Sequence, residues 1–481
     1  MTSNKENDVF LTVEPAIGPE RSHLPPQSIE FQHRAQGSGT PLEQRTTPDR
    51  FVIMRHLALL FAVIQIAGCA PDVTSHLSQI SKVQGTSEQK PGPINNWLKG
   101  GIVQRSLAKD KPTHILIEVD GGGIMGITPA LVLADLEKRL QNSRHITKLG
   151  DIVSVFSGTS TGAIITGMLA AGISAQRVAN YYETTGVGLF NSKGVNPFPI
   201  CPFFAAKFKR DVFQDSLFDA LRSAGKNPQM TLGDMYSGPL LLIASYDLCS
   251  ERTLWFRTRD LNDKPLRENG NVELVDAISS SALSAAIYFG KLHAPEVVWD
   301  QWQSDGSTRQ MRGAVFNDGG QGTQNSTLAQ TTLQSIIQGW GDPFSKNDQV
   351  VIISLGCGNN FSTRDYAAAS GLSPVDQAVA YLENEARPES LVLQWRAASF
   401  ISAHNPYFRV YRFDYVPPAG SSAFSAKMVK SYEDAANGLT HRSDYEQLVS
   451  DLGQVKLAPT GPTPSANPPA SEKQKSSLRG I

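Results

Sequence analysis

The chain has 481 residues, 44 basic against 45 acidic side chains and a formal net charge of -1, and it is 40% hydrophobic, 8% aromatic and 19% charged. This is enough apolar material for a large core, which excludes wholesale disorder, and the balanced charge excludes a bulk attraction to nucleic acid or to an anionic membrane. Four cysteines, at 69, 201, 249 and 357, contain no Cys-x-x-Cys spacing, so neither a disulfide-stapled scaffold nor a cysteine zinc site is expected.

Residues 1–53 are polar, broken by Pro15, Pro19, Pro25, Pro26, Pro41 and Pro48, and without apolar period; they read as a disordered or untranslated extension. Met54-Arg55-His56 then leads into the apolar run Leu57 to Ala67. That run is too short for the roughly 20 residues a helix needs to cross a hydrocarbon core. Segment 54–68 therefore suits a signal peptide, with a short buried helix or strand as the alternative. Ile66-Ala67-Gly68-Cys69 resembles the lipobox of bacterial lipoproteins, in which the peptide is cut before the cysteine and the thiol takes a diacylglyceryl group. The resemblance implies a start at Met54, lipidation at Cys69 and, because Ala70 is not the aspartate that retains such proteins at the inner membrane, an outer-membrane or periplasmic location; a cytoplasmic protein is the alternative.

Residues 69–108 read as a linker and N-terminal region, marked by Pro91-Gly92-Pro93, and the folded domain is expected over 109–455. Its strand candidates are Ile115 to Val119, Ile152 to Phe156, Leu240 to Ala244, Ala314 to Phe316 and Val350 to Ser354, short apolar runs of the kind buried in a parallel sheet. Helical patterns separate them. Thr128 is a candidate cap with Pro129 at the first helical position, and Val132, Leu133, Leu136 and Leu140 share one face. A second, apolar helix runs from Ala163 to Ala171 and can end at Gly172. Strands alternating with helices imply an α/β fold, a three-layer α/β/α sandwich with a mostly parallel central sheet. Residues 456–481, rich in Pro, Ser, Thr and Lys, read as a disordered tail, and no internal repeat is present.

Three motifs carry chemistry. Asp120-Gly121-Gly122-Gly123-Ile124-Met125-Gly126 lies between a strand and a helix, where glycines let the backbone aim several N–H groups into one hollow suited to a phosphate or a developing oxyanion. Gly121, Gly123 and Gly126 also satisfy the dinucleotide fingerprint, yet the second strand ends in Ser157-Gly158-Thr159-Ser160 without the acidic residue that confirms it. Gly158-Thr159-Ser160-Thr161-Gly162 has the form of a nucleophile elbow, whose flanking glycines relieve crowding at a sharp strand-to-helix turn. Asn317-Asp318-Gly319-Gly320 follows a strand and, taken alone, reads as a turn.

Together the three resemble the patatin-like phospholipase family: VDGGGIMGITPA (Val119 to Ala130) its oxyanion motif, SGTSTGA (Ser157 to Ala163) its nucleophile motif, and NDGG its Asp-Gly motif, in family order. LIASYDL (Leu242 to Leu248), AISSSALSAAIYF (Ala277 to Phe289) and VIISLGCG (Val351 to Gly358) add to the likeness, which covers about residues 110 to 360 with weaker support to 450. The family often carries Arg or Lys where Met125 stands and a proline where Ala286 stands.

The resemblance implies a patatin-like lipid acyl hydrolase with Ser160 as nucleophile and Asp318 as its base, a dyad without histidine. Gly121, Gly122, Gly123 and Gly126 would form the oxyanion hole, with Gly158 and Gly162 flanking the elbow. A free aspartate with a pKa of about 3.9 is a poor base for a serine hydroxyl, so the carboxylate is expected to be partly desolvated. A Ser-Asp-His triad would draw on His404 or His441; His293 precedes Asp318 and fits the chain order less well. The segment Phe190 to Arg210, with Phe198, Phe203, Phe204, Lys207, Lys209 and Arg210, suits a lipid-facing rim or ordinary packing equally. Cys249 and Cys357 follow predicted strands and are expected to be buried thiols. The implied partners are a lipid or phospholipid substrate and a membrane surface, with no nucleic acid, metal or cofactor. An acyltransferase using the same site and a non-catalytic lipid-binding protein are the alternatives.

Overall fold

The computed structural model describes residues 106–191, 208–260, 263–284, 289, 295–302, 307–321, 324–340, 347–358, 386–418, 421, 423 and 426–462. The upstream extension, the signal segment, Cys69, most of the linker, residues 192–207, Ala286, His293 and the tail beyond 462 lie outside the described residues.

The domain opens with β1 (Thr113–Val119), buried along its whole length, and passes through a 3-10 turn at Gly123–Gly126 into α1 (Ile127–Arg144). Next come β2 (Val153–Thr159), α2 (Thr161–Ala170), α3 (Ala175–Tyr181), α4 (Val187–Asn191) and α5 (Arg210–Ser223). The middle of the chain forms β3 (Leu240–Asp247), β4 (Arg252–Arg257), α6 (Leu274–Ala282), the hairpin β5 (Val298–Trp302) and β6 (Thr308–Arg312), and β7 (Phe316–Asp318). The last part holds α7 (Leu328–Ile337), β8 (Gln349–Leu355), α8 (Ala386–His404), β9 (Phe408–Phe413), α9 (Val429–Thr440) and α10 (Ser443–Leu452).

The main sheet runs β4-β3-β2-β1-β8-β9; β3, β2, β1, β8 and β9 are parallel, whereas β4 and β7 lie antiparallel to β3. Its central strands are largely apolar on both faces because both faces are covered. One face, with Ile115, Ile117, Val119, Leu241, Ile243, Val351 and Ile353, shares a core with α1, α2, α3, α6, α9 and α10. The other, with Leu116, Val155, Leu242, Val350, Ile352 and Val410, packs on Leu328 of α7 and on Trp395 and Ala398 of α8. This is the expected three-layer α/β/α arrangement.

Several local expectations are corrected. Helix α1 begins at Ile127 with Gly126 in the cap position, so Thr128 caps nothing; its hydroxyl donates to the Tyr432 carbonyl at 2.9 Å and ties α1 to α9. The anticipated face of α1 is buried as drawn, at Val132, Leu133, Leu136 and Leu140. The strand expected at 314–316 lies at Phe316–Asp318, which puts Asp318 at the end of β7 rather than behind it. Strand β3 continues to Asp247, leaving Cys249 exposed in the following turn, while Cys357 is buried. The fold also runs past 455: Lys456 N–H donates to the Lys109 carbonyl, and Ala458 N–H to that of Thr113.

The detail of the sheet that matters most for the site lies on one edge of β3. Strand β2 occupies it over Leu240 to Ala244, and β7 takes it over from Ser245 to Asp247, the opposite edge being filled by β4. The ends of β2 and β7 therefore abut. Phe316 anchors β7, fully buried with its ring centroid 5.3 Å from that of Phe256. Phe316→Ala should destabilise the domain by about 3 to 5 kcal/mol through lost burial and the cavity left behind, read as a lower urea midpoint at unchanged slope.

Candidate active site

Where β2 gives way to α2 the chain turns sharply at Ser160, whose φ of 53 and ψ of -122 are rare for a residue with a side chain. Such a conformation costs on the order of 1 to 3 kcal/mol and persists only when its surroundings hold it. Here they do so in two ways. A side chain at Gly162 would run into the Val119 carbonyl, and one at Gly158 into the Gly162 backbone, so the elbow closes only with glycine at both places. The Ser160 N–H donates to Ser281 Oγ at 2.8 Å, and the Ser281 hydroxyl in turn donates to the Ala244 carbonyl at 2.6 Å, bracing the turn against the end of β3.

The Ser160 hydroxyl donates to Asp318 Oδ2 at 2.7 Å. Asp318 is 7% exposed, and its Oδ1 accepts the Gly320 N–H at 2.8 Å, which fixes the plane of the carboxylate. The structure thus brings together a hydroxyl on a strained turn and a desolvated carboxylate from residues 158 positions apart.

The glycine-rich loop abuts the nucleophile: a Cβ on Gly121 would lie 3.2 Å from the Ser160 Cβ. Its four expected donors do not behave alike. The Gly121 N–H donates to the Asn325 carbonyl at 2.9 Å and so is already spent, while Gly126 ends the 3-10 turn and packs on Thr161 and Tyr182. Among the described residues no hydrogen bond takes up the N–H of Gly122 or Gly123, and bonding resumes at Ile124, whose N–H donates to the Ala423 carbonyl at 2.8 Å. Gly123 has a φ of 58, and any side chain there would run into the Ala423 backbone. Of the expected donors, Gly122 and Gly123 keep their N–H groups open among the described residues.

His404 and His441 are exposed, and each Nδ1 lies 2.7 Å from a carbonyl oxygen one turn back on its own helix, Phe400 and Asn437 respectively. Neither joins Ser160 and Asp318. Among the described residues no group of three or more His, Cys, Asp or Glu could hold a metal ion, and no helix is long and apolar enough to cross a membrane.

Behind the loop lies a buried ion cluster that sequence reasoning did not find. Arg412, on β9, is 1% exposed; its guanidinium donates to both oxygens of Asp120, to Asp414 Oδ2 at 2.7 Å and to Ser354 Oγ at 2.7 Å, with Glu118 Oε2 at 3.6 Å. Glu118 also accepts the Ser326 hydroxyl and the Thr327 N–H, each at 2.8 Å. Asn325 was missed as well: its carbonyl holds the Gly121 N–H and its Nδ2 lies 3.4 Å from the Gly121 carbonyl oxygen. The one available signal was a pair of arginines, Arg409 and Arg412, inside the strand-like run FRVYRF.

At the end of an α/β sheet, an elbow serine and a buried carboxylate thus meet next to a glycine loop with two open N–H groups. Residues 119–327 match the family model described as patatin-like phospholipase. Patatin-like protein 2 of Oryza sativa subsp. indica is 27% identical over 273 residues, covering 51% of this chain and 61% of that protein. Patatin of Solanum tuberosum is 26% identical over 263 residues, covering 51% and 60%. The matched domain and these relatives support the patatin-like phospholipase family, and the chain spans less than two thirds of the length of either relative. Among solved structures, human GIVD cytosolic phospholipase A2 aligns at 12% identity and a TM-score of 0.33, covering 71% of this chain and 60% of that one.

Glu118 supplies a pH test of the cluster. Burial first and the Asp120 charge second push its carboxyl up to about 8 against the pull of Arg412. A carboxyl raised in the fold stabilises it in the protonated form, fully so below the unfolded value near 4.5, and that contribution is lost as pH rises through about 8. Glu118→Gln, neutral at every pH, should therefore flatten the fall in Tm between pH 6 and 9, checked by thermal melts of both proteins across that range.

Proposed function

We propose that this protein is a lipid acyl hydrolase working through a Ser160-Asp318 dyad. Ser160 Oγ attacks the ester carbonyl as its proton passes to Asp318 Oδ2, the tetrahedral oxyanion is held by the N–H groups of Gly122 and Gly123, and the alcohol departs to leave an acyl-serine. Water, activated by the same carboxylate, then releases the fatty acid. The observation that carries this reading is the 2.7 Å bond from the strained Ser160 hydroxyl to buried Asp318. The family match over 119–327 supports an ester of a lipid or phospholipid as the substrate class.

Ser160→Ala should abolish both ester hydrolysis and labelling by a fluorophosphonate while the far-UV circular dichroism stays that of the parent; hydrolysis within about tenfold of the parent would remove Ser160 as nucleophile. Asp318→Asn keeps the shape but loses the base, and its turnover should fall nearly as far. Equal inactivation by His404→Ala or His441→Ala would replace the dyad with a triad.

The same reading extends to anchoring at Cys69, outside the described residues. A chain cut before Cys69 and acylated there would sit beside its substrate bilayer without a basic surface, because two or more acyl chains anchor stably. Intact mass spectrometry of the native protein is the measurement. A lipid-modified chain beginning at Cys69 is expected, and an unmodified chain retaining the segment before it would exclude the anchor.

A further inference from the structure

From Val119 to Ile124 the backbone changes character within a few residues. Asp120 N–H donates to the Leu355 carbonyl at 3.0 Å, the Asp120 carbonyl accepts from Cys357 Sγ at 3.2 Å, and Gly121 is held at both its N–H and its carbonyl by Asn325. Gly122 and Gly123 then have no N–H partner among the described residues, and Ile124 is bonded again. A loop pinned on both sides of two open donors has the form of a preorganised anion cradle, provided its pins are rigid.

The strongest pin is ionic. The Arg412 fork faces both oxygens of Asp120, two residues before the first open donor, and is itself held by Asp414, whose Oδ1 accepts the N–H groups of Gly358 at 3.0 Å and Tyr415 at 2.9 Å. Asp120 follows β1, Gly358 follows β8 and Arg412 lies on β9, so the cluster bolts three adjacent strands together at the end that carries the loop. Burying one cation among carboxylates is a poor way to gain stability, since the desolvation cost rivals the attraction. A planar, doubly bonded fork does confer orientation, which a lysine cannot reproduce. Arg412 also lies beyond residues 119–327, outside the matched region.

We propose that Arg412 is a positioning residue for the oxyanion cradle: held by Asp414, it fixes Asp120 and through it the direction of the Gly122 and Gly123 N–H groups beside Ser160. The proposal rests on the function proposed above. Its prediction is a defect in the transition state rather than in substrate binding.

The test uses Arg412→Lys, which keeps the charge and loses the fork, and Asp414→Asn, which slackens the anchor without touching Asp120. Ester kinetics, affinity for a trifluoromethyl ketone that forms a tetrahedral oxyanion on serine, and amide hydrogen exchange of the 120–126 peptide are compared with the parent. The expected result is a kcat lowered by about tenfold or more with KM within about twofold, inhibitor binding weakened by the same factor, and faster exchange at 120–126 with exchange of β3 unchanged. A folded Arg412→Lys protein with kcat and inhibitor affinity within about twofold of the parent, or with unchanged exchange at 120–126, overturns the proposal. Should Arg412→Lys fail to fold, Asp414→Asn decides by the same criteria. A parent without Ser160-dependent ester turnover overturns the proposed function instead, and the pin is then judged on exchange alone.

Discussion

Ser160 and Asp318 meet because two strands divide one edge of β3. Strand β2 uses Leu240 to Ala244 and stops, and β7 uses Ser245 to Asp247. Had β2 continued one pair further, Ser245 would have been taken and the carboxylate displaced. What stops β2 is the elbow itself: at φ 53 Ser160 can no longer continue a strand. The strain of one residue thus ends the strand, exposes the hydroxyl and leaves the place that Asp318 fills. The cost is offset locally by the Ser281 bridge and by glycines at 158 and 162, which admit α2 against the backbone of β1 and β2.

Buried carboxylates at this end of the sheet fall into two kinds. Glu118, Asp120 and Asp414 surround Arg412 and are satisfied by it and by serine hydroxyls and backbone N–H groups. Asp318 instead spends one oxygen on a backbone N–H and turns the other to a hydroxyl. The first kind holds the guanidinium in place behind the loop, and the second faces the serine on the strained turn.

Parallel strands β1, β2, β3 and β8 were legible because a strand covered on both faces is largely apolar, as in Ile115 to Val119 and Leu240 to Ala244, and the helix stripe of α1 because its period is unambiguous. Strands β4, β5 and β6 were not, since RTLWFR, VWDQW and TRQMR mix charge and aromatics without a sustained apolar run. Strand β9 was hidden by Arg409 and Arg412, whose burial makes sense only once carboxylates from β1 and the β9 end are placed around Arg412. The Asp-Gly pair was recognisable only in company with the other motifs. Which glycine N–H groups remain open could not be read locally, because Asn325, 204 positions away, decides the fate of Gly121. Thr128 misled for a related reason: a 3-10 turn runs straight into α1, so the residue with the best capping side chain is already inside the helix.

Under the proposed reaction the absence of histidine from the bonded pair has a geometric consequence. Asp318 Oδ1 is tied to Gly320 and Oδ2 faces Ser160, so the proton taken from the serine sits on the atom beside which the leaving alcohol must depart. The same oxygen must then accept a proton from the incoming water, which approaches where the alcohol left. One atom serves both half-reactions, and neither step requires the carboxylate to turn. A rigid Asp318 is therefore an asset, and the β7 pairing with β3, the buried Phe316 and the Gly320 N–H all act to make it so. In a histidine triad the imidazole can tilt between nucleophile and leaving group; here the adjustment must come from the acyl chain and the oxyanion. This is why the fixity of the Gly122 and Gly123 cradle bears so directly on the chemistry.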